Sequence, residues 1–315
     1  MGKGEFEMTK EKKISANHSA LDRMSHGDKI FEVVNCIFLG IVACIILYPL
    51  IYVISASFSD AMSVTSGKMI LWPVDVTLEN YQEVFKNDNI MRGYRNSLII
   101  MASGTALNLV MTILAAFPMS RRDLWGRNVI MKLMTFCMFF SGGLIPTYLM
   151  VGKTLGLMNN WLSLILPGAI SVYNMIIMRT YFSTSIPYEL HEAADIDGCT
   201  PLGTLIRIVL PLSGPIIAVI GLYYAVGHWN SYFSALLYIN KESIQPLQLY
   251  LRKVLTANNA QSLMEMGADE AARAAMRAET IKYSVIVVSS VPMLIIYPFV
   301  QKFFVKGVMI GAVKG

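Results

Sequence analysis

Four carboxylates crowd one short stretch of an otherwise apolar chain: Glu189, Glu192, Asp195 and Asp197, in "ELHEAADIDGCTPLGTLIRIVLP". Few other residues have types and spacing suited to chemistry. His18, His26, His191 and His228 follow no metal-ligand rhythm, and no Ser-His-Asp arrangement can be argued from spacing. "VGKT", Val151 to Thr154, ends like a phosphate-binding loop, but position 147 is threonine where such a loop needs glycine. Any ATP chemistry must therefore come from another polypeptide, and no cofactor or metal is implied. What the carboxylates offer is a charged surface rather than a reaction centre.

The residues around them specify a shape. Ser185 and Pro187 are helix-start signals, and Gly198 is a stop signal, since glycine readily takes the left-handed conformation that ends helices. Thr200 and Pro201 restart a helix that runs to Leu210. The pattern predicts two short helices bent at Gly198, with Glu189, Glu192 and Asp195 at i, i+3 and i+6 of the first. Such a unit is a rigid knob, acidic on one side and small at Ala193 and Ala194 on the other, of the kind that docks into clefts. The plainer alternative is an amphipathic connector between spans.

These helices must be held by something greasy. Of 315 residues 55% are hydrophobic and 15% charged, with a mean hydropathy of +0.52, more apolar surface than one soluble core can bury. We read an all-α integral membrane protein. Six stretches reach the roughly 20 apolar residues that a spanning helix needs: Val33–Phe58, Tyr94–Ser120, Val129–Met150, Trp161–Phe182, Leu212–Ile239 and Ile281–Phe304. The polar, lysine-rich first 29 residues are too long for the charged start of a signal peptide, so the first span is expected to remain attached. Placing both termini inside puts 15 of the 26 lysines and arginines on the cytoplasmic side, most sharply in "SRRDLWGR". The net charge of +5 then reflects topology, and nothing suggests nucleic acid. The division is a cytoplasmic tail at 1–29, a six-span domain at 30–310 with a cytoplasmic loop at 183–210 and an outer loop at 240–280, and a C-terminal tail at 311–315. On this topology the carboxylates never enter hydrocarbon. Cys36, Cys44, Cys137 and Cys199 read as packing residues, and the 21 methionines as gap-fillers.

Two outer segments carry further signals. In "LWPVDVTLENYQEVF" Thr77 caps a short helix with Glu79 in its first turn. After Pro246, residues Leu247, Tyr250, Leu251, Val254 and Leu255 recur at helical spacing and predict an amphipathic helix, lying on the membrane or packed on neighbouring spans. An alanine-rich helix is expected over Leu263 to Ala278.

"EAADIDGCTPLGTLIRIVLPLSGP" resembles the signature loop of permease subunits of ATP-binding cassette importers: Glu192, Ala193, Ala194, Asp197, Gly198, Leu210, Pro211 and Pro215 stand where that family has them. The resemblance covers nearly the whole chain from about residue 25. "LWPVDVTLENYQEVF" with "RNSLII", "VGHWNSYFSALL" and "QKFFVKGVMIGAVKG" are similar to the carbohydrate-uptake branch of maltose type, most of all to the second permease of pairs that import complex oligosaccharides in Gram-positive bacteria. Ser231 departs from the acidic residue often found there, and the tail before residue 25 has no counterpart. The resemblance implies a coupling helix at Glu192, Ala193, Ala194, Asp197 and Gly198 that seats in an ATPase subunit, helped by the tail residues Lys314 and Gly315. It also implies a second permease subunit, two ATP-binding subunits, an extracellular solute-binding protein docking on the outer segments, and a bacterial cell membrane location.

Sugars are recognised by aromatic faces and by amides or hydroxyls, so Trp229, Asn230, Tyr232 and Tyr223, with Asn174, are candidates to line an oligosaccharide pathway. Trp229 and Tyr232, three apart, would share a helix face. The alternative is that Asn230, Asn174 and Asn108 hydrogen-bond helices together and Trp229 anchors at the interface. Two other functions stay open: the same role for a polyol, peptide or amino acid, and a membrane-embedded enzyme built on His228 and Asn230.

Overall fold

A computed structural model describes residues 25–256, 276, 280–298 and 301. The chain divides into two compact units, Met1–Val76 and Thr77–Gly315. Among the described residues the structure is helical, with one isolated antiparallel bridge between Ser59 and Val76.

The first unit is a long helix with a folded cap. Helix α1, His26–Ser57, buries only Ser55, Ala56 and Ser57, so its apolar length needs lipid or another chain to cover it. Serines at helical spacing fasten the segment that follows. Ser55 Oγ donates to the Leu71 carbonyl (2.6 Å), Ser59 Oγ accepts from the Val74 amide (3.1 Å), and Ser63 Oγ donates to Asp75 (2.7 Å). Asp60 caps the short helix α2, Ala61–Thr65, through the Met62 amide.

The second unit runs through α3 (Glu79–Lys86), α4 (Asp88–Ser120), α5 (Arg127–Phe139), α6 (Leu144–Leu149), α7 (Leu162–Ile165), α8 (Val172–Ser185), α9 (Glu189–Ile196), α10 (Pro201–Thr204), α11 (Leu210–Leu212), α12 (Gly214–Trp229), α13 (Tyr232–Tyr238), α14 (Leu247–Thr256) and α15 (Thr280–Pro298). Thr77 Oγ1 accepts from the Glu79 amide at the start of α3, but Leu78 holds the N-cap position, so the threonine expected as the cap sits one residue outside it.

Helix α4 is the spine, packing most densely on α12 and α8. Small and polar residues allow it. A Cβ on Gly104 would come within 2.5 Å of His228 Nε2, and one on Gly93 within 3.1 Å of the Leu247 backbone, so both glycines permit close approach. Asn108 bonds the Gly168 carbonyl and His228 (2.8 Å to Nε2), and Thr112 meets the Tyr224 hydroxyl at 2.7 Å, which also accepts from the Ser171 amide. Asn108 therefore joins α4 to α12 and to the turn before α8, which is the helix-bonding alternative weighed for it. Below this polar layer Phe117, Met175, Met178, Phe182, Val209 and Ile220 form the apolar core. Met175 and Met178 are fully buried there, filling gaps as expected.

The expected spans meet two corrections. Among the described residues three helices are long and apolar enough to cross a membrane, α1, α4 and α15; the third and fourth expected spans are broken pairs, a further bend falls where the fifth begins, and the fifth is itself interrupted at Asn230 and Ser231. The chain bends by 105° between Arg127–Phe139 and Leu144–Thr154, by 52° between Leu162–Gly168 and Val172–Ser185, and by 86° between Pro201–Leu212 and Gly214–Trp229. Each break has a local cause: Gly143 at φ +87°, Ser171 recapping α8, and Pro215 in the first turn of α12. Hydropathy does not register them because the residues at a bend stay apolar. The second correction concerns cysteines: Cys36, Cys44 and Cys137 are exposed on the chain's surface, not packed in its core.

Candidate functional site

Two regions gather the candidate residues, both in the second unit. At the α8–α12 end, α9 and α10 make the predicted pair of short helices. Helix α9 stops as the Asp197 amide donates to the Ala193 carbonyl and Gly198 takes φ +72°. Thr200 then accepts from the Gly203 amide (3.2 Å), with Pro201 in the first turn of α10.

The knob's faces differ from the predicted ones. Glu192, Ala193, Ile196, Asp197 and Gly198 are exposed, whereas Ala194 is packed inward with His191, three residues before it on the same face. The two alanines thus do not form one small side. The exposed surface mixes acid with Ala193 and with Ile196, which is 86% exposed.

What holds the knob is a residue that sequence reasoning passed over. Arg121, in the α4–α5 turn, donates through Nε and Nη2 to both carboxylate oxygens of Asp123 (2.9 and 3.1 Å), and Nη2 also reaches Asp195 on α9 (3.0 Å). Its side chain is 11% exposed, while the carboxylates of Asp123 and Asp195 stay 56% and 48% exposed, so the fork is covered on its basic side and open to water on its acidic side. The turn rests on α9 a second time where Arg122 lies 4.8 Å over the Tyr188 ring. Only "SRRDLWGR" hinted at this: two arginines read as topology markers are also structural. His191 is buried between Phe117 and Tyr188, with ring centroids 6.2 and 5.9 Å away. Burial pushes its imidazole below the ordinary histidine range, the Arg121 charge acts in the same direction, and Asp195 and Asp123 oppose them. The hydrogen bond from Arg121 holds the Asp123 carboxyl below the usual range.

The second region is a cavity of about 790 Å³ where α12, α13, α14 and α15 meet. Trp229, Asn230 and Tyr232 line it, joined by Gln248 and Arg252 of α14 and Ser290 of α15. Tyr223 and Asn174 are not among its lining residues: Tyr223 is exposed elsewhere on α12, and Asn174 is buried on α8. The chain breaks from helix at Asn230 and Ser231, so Trp229 and Tyr232 do not share a helix face. Trp229 is 2% exposed, donates from Nε1 to the Ser289 carbonyl (3.1 Å) and meets Tyr94 edge-on at 5.5 Å. The stacking surface expected of it is taken up by protein, while Tyr232 and Asn230 remain exposed to the cavity. Asn230 Nδ2 donates to the Val226 carbonyl (3.0 Å).

Helix α14 follows the amphipathic prediction and resolves its two alternatives in favour of packing. Leu247 and Leu251 sit in the same buried cluster as Trp229, and the Leu247 amide donates to Ser97 of α4 (2.8 Å). His228 is engaged by Asn108 and lies away from any His, Cys, Asp or Glu group that could hold a metal among the described residues. Lys314 and Gly315 lie outside the described residues, as does the alanine-rich segment 263–278 apart from Met276.

Residues 108–310, which enclose both regions, match the family of binding-protein-dependent transport system inner membrane components. The chain belongs to that family. It is accordingly a multi-pass component of a membrane transport system. This inner membrane component is 42% identical over 292 residues to protein LplC of Bacillus subtilis, covering 91% of this chain and 96% of LplC. It is also 42% identical over 290 residues to the polygalacturonan/rhamnogalacturonan transport system permease protein YtcP of Bacillus subtilis, covering 91% and 99%. Among solved structures it resembles a chain of a bacterial ABC transporter involved in the import of the acidic polysaccharide alginate, with a TM-score of 0.80, 34% identity, and coverage of 89% of this chain and 99% of that one.

Proposed function

We propose that this chain is one of two permease subunits of an ABC importer, moving an oligosaccharide delivered by an extracellular binding protein and driven by ATP hydrolysis on separate ATPase subunits. The observation that carries the reading is the family match across residues 108–310, joined to relatives named for polygalacturonan/rhamnogalacturonan and alginate transport. The reading counts one span for each bent helix pair, with the part of the last pair up to Leu210 left in the cytoplasmic loop, which gives six spans with both termini cytoplasmic. The knob at Glu192, Ala193, Ala194, Asp197 and Gly198 then faces the cytoplasm as the seat for an ATPase, aided by Lys314 and Gly315. Its geometry supports that role: a stiff projection anchored to α4 through Arg121 transmits force without bending. The cavity beside Asn230 and Tyr232 supplies a wall of the sugar pathway, and the outer loop at 240–280 receives the binding protein. The chain needs no cofactor of its own in this scheme, and no catalytic role is assigned to it.

Affinity purification of the tagged chain from its native membrane tests the reading. The expected result is an ATPase and a second permease in the same complex, with ATP hydrolysis rising when sugar-loaded binding protein is added. A chain that purifies alone, or a complex indifferent to loaded binding protein, overturns it. Cysteines placed singly at Asp195 and Lys241 in a cysteine-free background should label from opposite sides of the membrane, and labelling of both from outside overturns the orientation.

A further inference from the structure

Two apolar clusters lie at different levels of the second unit, one around Phe117, Met178 and Ile220 and the other around Ile100, Leu164 and Tyr238. Among the described residues the chain passes between them four times: along α4, from α5 through α6 to Val151, from α7 to α8, and from α12 to α13. Only α4 passes as an unbroken helix. The other three leave α-helix at 140–143, 166–171 and 230–231. On α4 the crossing falls at Asn108, since Leu107 packs on the Tyr238 cluster and Leu109 on the Phe117 cluster.

Asn108 is 1% exposed, and both ends of its amide are used. Nδ2 donates to the Gly168 carbonyl at the break before α8, which leaves Oδ1 to face His228 of α12 at 2.8 Å. An amide oxygen only accepts, so Nε2 is the nitrogen of His228 that carries the proton. Beside this link the Tyr224 hydroxyl accepts from the Ser171 amide (3.0 Å) and meets Thr112 of α4 (2.7 Å). The backbone groups freed at 168 and 171 thus end on side chains of α4 and α12, as apolar surroundings demand. A packed cluster resists deformation, whereas a break turns by changing a few backbone angles. How firmly the two clusters are held together is therefore set by the bonds at their boundary.

We propose that Asn108 is a positioning residue for transport: it latches the two clusters together in the resting transporter, and its bonds yield when the clusters turn about 166–171 during the cycle. The proposal rests on the importer reading above and adds a joint inside this subunit. The knob is rooted in the Phe117 cluster through Leu205 and Val209, and the outer loop in the Tyr238 cluster through Ile239. The latch therefore sits between the end that meets the ATPase and the end that meets the binding protein.

The test uses the whole transporter with its binding protein in lipid nanodiscs, with spin labels on cysteines placed at Lys153 and Ser183 in a cysteine-free background. Both positions are exposed, and each lies within two residues of a cluster member, Val151 or Phe182. Pulsed electron resonance reads the label separation without nucleotide, and again after trapping with loaded binding protein, ATP and vanadate. We expect the separation to differ between the two states. Asn108→Leu, close in size but without either bond, should populate the trapped separation in the absence of nucleotide. It should also raise ATP hydrolysis without binding protein by about fivefold, the scale of one lost hydrogen bond. Tyr224→Phe, which removes one hydroxyl, should act the same way more weakly, and it carries the test if the Asn108 variant does not assemble. A single separation in both states of the wild type overturns the joint and leaves the importer reading standing. Variants that assemble and keep the resting separation, with hydrolysis no higher than wild type, overturn the latch in the same way. A wild-type complex whose hydrolysis ignores loaded binding protein overturns the importer reading and this inference with it.

Discussion

The knob at α9–α10 and the cavity at the end of α12 both hold polar residues in an apolar protein, but they are built differently. The knob is made from one continuous stretch, shaped by its own glycine, proline and threonine and fastened by Arg121 from a single distant turn. The cavity is made from four helices, α12 to α15, whose lining residues run from Val226 to Tyr297, and one wall of it, Trp229, belongs to the buried core. A locally built surface can be altered without disturbing the fold. A site shared with the core cannot, so function and stability should separate at the knob and stay mixed at the cavity.

Five predictions press on that contrast, in descending order of expected effect. Trp229→Ala removes a fully buried ring and its hydrogen bond to the Ser289 carbonyl, and should destabilise the chain by about 3–5 kcal/mol. Thermal unfolding in detergent measures it, and a loss below about 1 kcal/mol would place the ring in the pathway instead of the core. Ala193→Arg sits on the exposed face of α9 and should leave that unfolding curve in place while cutting sugar-stimulated ATP hydrolysis by more than about tenfold, because a buried unpaired charge in a docking cleft costs several kcal/mol. Full stimulation in this variant would remove the knob from coupling.

Arg121→Ala should lower stimulated hydrolysis by about fivefold, the upper scale of one lost solvent-exposed ion pair, and the charge exchange Arg121→Asp with Asp195→Arg should recover part of it. No recovery would mean that the Asp123 bond, not the link to α9, is what matters. Asn230→Ala loses an exposed local bond to Val226 and should change transport by only about twofold. A larger drop would give its amide a direct part in sugar recognition.

The smallest effect is a pH slope. His191 is held neutral by burial and by Arg121, against Asp195 and Asp123. Its folded-state value is lowered, so the stability it contributes is present above the unfolded value near 6.5 and is lost as pH falls from there toward the folded value. Thermal stability should therefore decline below pH 6.5, and His191→Gln should flatten that decline. An unchanged slope in the variant would assign the decline to another group.

The sequence by itself determined everything in this protein that rests on composition or on neighbours a few residues apart. The apolar excess required a membrane, Thr200 capped its helix, Gly198 ended α9, and the spacing after Pro246 made α14 amphipathic. These follow from backbone sterics and local hydrogen bonds, which short segments carry with them. The tertiary structure decided what depends on residues meeting from afar. It bent three apolar segments at Gly143, Ser171 and Pro215, where hydropathy sees no change. It turned Ala194 inward, closed protein around Trp229, and brought Arg121 to Asp195 across 74 residues of chain. It also set Arg252 against Tyr232 in a cavity that no single segment forms. A side chain's type fixes which bonds it can make, but which partner and which face it receives depends on how whole helices pack, and that information is spread over the entire chain.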